Sequence, residues 1–109
     1  MKGSCLCGAV TFEATGTPTF FVFDHCSRCR KSSGSAFKAA PIRKAPPGYR
    51  RAFCAICGGP VPTVDTEAVN IPAGTLDDDP PLLPQSHIFV AHKASWFEIT
   101  DQLPRFPEK

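Results

Sequence analysis

Six cysteines in three close pairs constrain this 109-residue chain more than any other feature of its sequence. The pairs are Cys5-Leu6-Cys7, Cys26-Ser27-Arg28-Cys29 and Cys54-Ala55-Ile56-Cys57. A chain of this size buries only about 60–70% of its unfolded surface. Twelve Pro and eight Gly leave few uninterrupted elements from which to build a large core. A cross-link is therefore expected, through three disulfides or through metal. Met1-Lys2-Gly3-Ser4 runs into the first cysteine without the apolar run of a secretory leader. No stretch approaches the roughly 20 apolar residues of a membrane span. Both observations point to a cytoplasmic chain, where thiols stay reduced and close pairs favour metal over disulfide.

The spacing sorts the pairs. On an extended strand residues i and i+2 share a face, so Cys5 and Cys7 can turn both sulfurs to one ion. In "CAICGG" the two intervening residues make a tight turn, which Gly58 or Gly59 can leave at positive φ. Brought together, Cys5, Cys7, Cys54 and Cys57 make a closed tetrahedral four-thiolate zinc site, with about 2.3 Å per sulfur. Such a site contributes on the order of 10 kcal/mol to folding. Cys26 and Cys29 are then left as two thiolates needing other ligands. Asp24, two residues before Cys26, faces the same side on an extended approach, and His25 points away. An incompletely filled shell keeps a position for water or substrate, the mark of catalytic zinc. The alternative is that Cys26 and Cys29 form a redox pair or an emptied site.

The rest of the chain reads as one small domain, residues 1–109, mainly antiparallel β with short strands. "GAVTFEA" alternates, "TFFVF" at 19–23 and "HIFVAH" at 87–92 are apolar runs of strand length, and "WFEI" at 96–99 reads as a final strand. "CSRCRKSSG" is the one place for a helical turn. A net charge of +2, with no aromatics interleaved among the basic residues, argues against nucleic acid as a partner. Arg28, Arg30 and Lys31, and the cluster Arg43, Lys44, Arg50 and Arg51, are solvated charge or an anion-attracting rim beside the cysteines. Phe37 is read as core, Asp77 and Asp78 as turn residues, and His87 and His92 as hydrogen-bonded structural histidines on opposite faces of a strand. Trp96 and Phe97 are expected to close the core.

The segments "GSCLCGAVTFEA", "HCSRCRKSSGSAF", "RAFCAICGGPV", "IPAGTLDD" and "HIFVAHKASWFEI…LPRFPE" stand in the order found in the glutathione-dependent formaldehyde-activating enzyme family, which includes centromere protein V. The chain resembles that family over nearly its whole length. The resemblance implies a mainly β, Mss4-like domain stapled by zinc, with structural zinc at Cys5, Cys7, Cys54 and Cys57. It also implies a second, catalytic-type zinc at a C-x-C-x-x-C motif whose last two cysteines match Cys26 and Cys29. The first cysteine of that motif falls on Asp24, which keeps the ligand charge but donates a harder oxygen, so a weaker or partly empty second site is expected. The stretch between the match to the family's G-x-x-F, Gly34 to Phe37, and Cys54 is also shorter than is usual there.

On this resemblance the lead reading is a zinc-dependent carbon-sulfur lyase acting on a thiol adduct such as S-hydroxymethylglutathione, with catalytic roles for Cys26, Cys29 and Asp24. The basic residues Arg28, Arg30 and Lys31 are then read as drawing in the glutathione carboxylates. The second reading is a non-catalytic zinc-stabilised binding module of the same fold with a degenerate second site.

Overall fold

A computed structural model describes residues 1–42, 51–64 and 68–109. Among these residues the chain is mainly β, with antiparallel sheets and one α-helix. The apolar run at 19–23 becomes the strand β3 of a five-stranded sheet, and its neighbours show why it is apolar throughout. Strands β1 (Lys2–Ser4) and β2 (Thr11–Glu13) precede β3 (Phe20–Asp24), and α1 (Ser27–Ser33) and β4 (Lys38–Ile42) follow it. Further along come β5 (Ala52–Phe53), β6 (Pro60–Val61), β7 (Thr63–Val64), β8 (Val69–Asn70) and β9 (Ser86–Ile88). The large sheet runs β7-β8-β4-β3-β9, so β3 is flanked on both edges and a continuous apolar sequence suits it. Val22, Ala40 and Ile42 form the buried cluster on this sheet, with Phe20 and Ile88 packed against it. Each large aliphatic or aromatic side chain buried there stabilises the fold by roughly 1.5–3 kcal/mol. Among the described residues Phe21, Ile71 and Ile99 are also buried.

Two further two-stranded sheets, β1-β2 and β5-β6, lie outside the large one. Gly3 of β1 pairs with Phe12, and a Cβ at this position would collide with the carbonyl oxygen of Thr75 and lie 2.5 Å from Phe12 Cζ. Backbone cannot yield cheaply there. Gly3→Ala is expected to destabilise the chain by about 2 kcal/mol, read as a lower melting temperature by circular dichroism.

Several sequence expectations are altered. The alternating stretch 8–14 contributes only Thr11–Glu13, because residues 5–10 turn back on themselves, with Gly8 N–H donating to the Cys5 carbonyl at 3.2 Å. Cys5 and Cys7 therefore sit on a turn after β1 and not on a strand. The strand expected over 87–92 stops at Ile88, where Phe89 takes a left-handed conformation (φ 54°) and the chain enters a 3-10 turn over Val90–His92. Beyond it, Phe89, Val90 and Ala91 give their N–H groups to carbonyls of the C-terminal segment 106–108. Residues 96–99 form a turn and irregular chain, not a strand, and Trp96 is exposed while Phe97 packs inward on Phe37. One strand pair, β3-β9, is parallel in an otherwise antiparallel set.

Candidate metal centres and the adjoining cleft

The turn after β1 and the turn between β5 and β6 are built alike. Cys5 N–H donates to the Val10 carbonyl and Cys54 N–H to the Gly59 carbonyl, and each turn is left through a glycine at positive φ, Gly8 (79°) and Gly58 (72°). An L side chain at either place would be strained. Each turn also aims amides at sulfur. Val10 N–H lies 3.4 Å from Cys5 Sγ, Ile56 N–H 3.4 Å from Cys54 Sγ, and Gly59 N–H 3.3 Å from Cys57 Sγ. Such donors favour thiolate over thiol.

These turns bring Cys5, Cys7, Cys54 and Cys57 together, with their sulfurs within 4.8 Å of one another. Cys5 and Cys7 sulfurs are 3.6 Å apart, and Cys7 and Cys54 sulfurs 3.9 Å. A tetrahedron with 2.3 Å metal-sulfur bonds has edges of about 3.8 Å, whereas a disulfide would need about 2.05 Å. All six cysteines are free thiols. Electrostatics give the same answer. The Val10 amide, opposed by burial and helped by the neighbouring sulfurs, draws Cys5 down to about 6. Against the Ala9 amide, burial and the nearby Cys5 push Cys7 up to about 11. Four sulfurs this close cannot all ionise alone, and a bound cation removes the conflict. The donor set fits a metal ion of thiophilic type.

A second group stands at the junction of β3 and α1. Asp24 ends β3, Cys26 is the N-cap of α1, and Cys29 lies buried one turn in, with ligand atoms of all three within 4.8 Å of one another. Cys29 N–H donates to Cys26 Sγ at 3.3 Å, and Cys26 N–H donates to Asp24 Oδ1 at 2.9 Å. One carboxylate oxygen of Asp24 thus closes the turn that presents Cys26. Burial pushes the Cys29 thiol far above its ordinary value, and Cys26 and Asp24 beside it add to the shift. Here too the donors fit a cation, in a set of two sulfurs and one carboxylate. These are the two groups of potential metal ligands among the described residues.

His25, between Asp24 and Cys26, is fully buried on the other side of the chain. Its Nε2 lies 2.8 Å from Nδ1 of His87, itself buried, whose Nε2 lies 2.9 Å from Oδ2 of Asp101. An ionised carboxylate only accepts, so His87 donates from Nε2 and, as a neutral ring, accepts at Nδ1 from His25. The hydrogen bond from His87, with the Leu103 amide, holds the Asp101 carboxyl below its usual range. Burial, with His87 nearby, draws His25 down to about 4. Sequence gave no signal for this pairing, since the three residues are 62 and 14 positions apart. His92, by contrast, is exposed and 3.6 Å from Glu108.

A cleft of about 450 Å³ opens between α1 and the β5-β6 sheet, lined among others by Ser32, Ser33, Lys38, Arg51 and Thr63. Lys38 pairs with Asp24 across β3 and β4 and connects the cleft to the second group. Burial draws its ammonium down from the ordinary lysine value, opposed by the electrostatic pull of the neighbouring Cys29, Asp24 and Cys26. The basic residues singled out beside the cysteines lie elsewhere. Arg28 and Lys31 are exposed and Arg30 half-buried, and none of them lines this cleft. Of the second basic cluster, Arg43, Lys44 and Arg50 lie outside the described residues, and Arg51 is on the cleft wall. Phe37 packs against Phe23, His25 and Phe97, as core and not as cleft lining. Leu76 is half-buried and pairs with Gly3, with Asp77 and Asp78 exposed after it. No helix among the described residues is long and apolar enough to cross a membrane.

The comparisons with known proteins converge on one family. Residues 1–47, which carry Cys5, Cys7, Asp24, Cys26 and Cys29, match the family model for glutathione-dependent formaldehyde-activating enzyme. A relative from Halomonas elongata, whose name gives it provisionally as a glutathione-dependent formaldehyde-activating enzyme, is 29% identical over 128 aligned positions, covering 91% of this chain and 80% of its own length. Both matches thus point the same way, and the chain is similar to the glutathione-dependent formaldehyde-activating enzyme family.

Proposed function

We propose that this chain is a zinc-dependent carbon-sulfur lyase acting on a thiol adduct such as S-hydroxymethylglutathione. In this reading Cys5, Cys7, Cys54 and Cys57 hold a structural zinc, and Asp24, Cys26 and Cys29 hold a second zinc of catalytic type. The observation that carries the reading is the cleft beside the second group. It offers a cation, Lys38, within reach of that group, together with the hydroxyls of Ser32 and Ser33. Glutathione carries two carboxylates and a thiol, and Lys38 places positive charge on the cleft wall at a register position opposite Asp24 of the second group. When bound, zinc supplies a Lewis acid for the adduct's sulfur or hydroxyl oxygen.

The reaction itself is simple to balance. The hydroxyl proton leaves oxygen for solvent, the carbon-oxygen bond becomes a carbonyl, and the carbon-sulfur pair departs on sulfur as thiolate, which solvent can protonate to the thiol. The chain's share is to hold the substrate by its carboxylates, through Lys38 and Arg51, with the reacting carbon turned toward Asp24, Cys26 and Cys29. Lys38→Met is expected to raise KM for the adduct by roughly tenfold or more with kcat little changed, as loss of one charge-assisted hydrogen bond implies.

The second reading, a zinc-stabilised binding module, is favoured by one contact. Asp24 Oδ1 already serves the Cys26 amide, a role that Asp would keep without any metal. Exchange spectroscopy on formaldehyde and glutathione separates the two. An interconversion rate unchanged by zinc-loaded protein would falsify the lyase reading for that substrate.

A further inference from the structure

We propose that Asp101, His87 and His25 act as a positioning network that fixes the β3-α1 junction, and with it the donors Asp24 and Cys26 on either side of His25. The inference rests on the reading that Asp24, Cys26 and Cys29 hold a metal. His25 is the single residue between the end of β3 and the N-cap of α1. Its backbone N–H donates to the Ile88 carbonyl at 3.0 Å and its ring bonds the His87 ring at 2.8 Å, so main chain and side chain are both tied to β9. His87 is fixed in turn. Its N–H donates to the Pro104 carbonyl, its carbonyl accepts from Phe106, and its Nε2 meets Asp101. Asp101 is held by the Leu103 amide through Oδ1 and by Arg105 at its carbonyl. A C-terminal segment without regular secondary structure thus reaches the second group through two buried rings.

The surroundings make this costly to build by accident. His25 stands among Phe37 and Phe97, and His87 against Phe23, where apolar side chains would pack without any polar atoms to satisfy. A hydrogen-bonded chain adds direction, because it selects one ring orientation and one proton arrangement where an apolar pair would tolerate several. His25 cannot rotate without breaking the bond to His87, and any rotation of its backbone moves Asp24 and Cys26 together. Side chains that orient metal ligands from behind are worth about 10- to 100-fold in affinity where they have been tested.

The test is metal retention at both groups of the full chain, read by chelator competition and by thiolate-to-cobalt charge-transfer bands of the cobalt-loaded protein. His87→Leu keeps the volume and loses the hydrogen bonds, whereas His87→Asn returns an acceptor near the place of Nδ1. The expected result is a second metal held about 10- to 100-fold more weakly in His87→Leu, substantially recovered in His87→Asn, with the four-cysteine metal retained as in wild type and a cooperative melt at a lower midpoint. Asp101→Ala alters an exposed end of the network and keeps the test open should His87→Leu fail to fold. It too must loosen the second metal and spare the first. Retention equal to wild type in either folded variant overturns the proposal, as does an Asn variant no better than Leu, or loss of both metals together. A wild-type chain that binds only one metal overturns the underlying site reading as well, and is recognised before any variant is made.

Discussion

Stripping the metal from Cys5, Cys7, Cys54 and Cys57 is expected to abolish the cooperative fold. The reason lies in what these cysteines join. Strands β1 and β2 have three residues each and β5 and β6 two each, and neither pair belongs to the large sheet. An isolated two-stranded ribbon is marginal in water. Here the turn after β1 and the turn between β5 and β6 meet where their sulfurs converge. The buried cluster on the large sheet is small, with Val22, Ala40 and Ile42 at its centre. A structural zinc contributes on the order of 10 kcal/mol, comparable to the whole stability of a domain of this size, roughly 5–15 kcal/mol. A strong chelator, or Cys54→Ser, should therefore remove the sigmoidal thermal transition seen by circular dichroism, with metal release coincident with unfolding. A chelated chain that still melts cooperatively within a few degrees of the loaded protein would show that the turns stand on packing alone.

The second large effect is opposite in kind. Cys29→Ala should reduce bound metal from two ions to one and bring adduct interconversion to the uncatalysed rate, while the fold persists. Cys29 is buried, and its replacement by Ala removes one sulfur at a cost of about 1 kcal/mol in packing, a shift of several degrees at most. The donors that remain, Asp24 and Cys26, are too few for a firm site. Metal analysis, the melt and the exchange rate are read on the same preparation. Activity retained at one metal per chain would sink the catalytic role of this group. Asp24→Cys makes the complementary case, since a soft third sulfur in place of the carboxylate should slow metal loss from the second group and leave the first untouched.

How far each of these features was legible in the chain depends on the range over which its cause acts. The two cysteine turns were legible because spacing and glycine are local. Cys54-Ala55-Ile56-Cys57-Gly58 closes through its own amides, and Cys5-Leu6-Cys7-Gly8 does the same, though as a turn where an extended strand was expected. Period-2 reasoning over residues 5–14 failed at Cys5 and Cys7 because the Val10 carbonyl takes the Cys5 amide and folds the segment back. The apolar run 19–23 was recognisable as a strand, and its central position explains its lack of polar alternation. "HIFVAH" carried the same signal and was cut short at Phe89, where hydrogen bonds from the C-terminal segment replace strand pairing. "WFEI" looked like a core-closing strand, yet residues 96–99 form no strand, and Trp96 stays exposed while Phe97 packs on Phe37.

The amino-acid sequence by itself determined the local chemistry: three cysteine pairs, a carboxylate two residues before the second pair, a mainly β pattern and the turn glycines. Those follow from covalent spacing and backbone preference within a few residues. Tertiary structure alone decided which cations face the second group and which histidines support it. Lys38 and Arg51 reach the cleft because β4 and the segment entering β5 pack there, and Arg28 and Lys31 do not because α1 turns them to solvent. His25, His87 and Asp101 meet across 62 and 14 residues only because β3 and β9 pair in parallel and the C-terminal segment closes over them. Contacts of that range depend on strand order, and strand order is set by the packing of the whole chain and not by any one stretch of it.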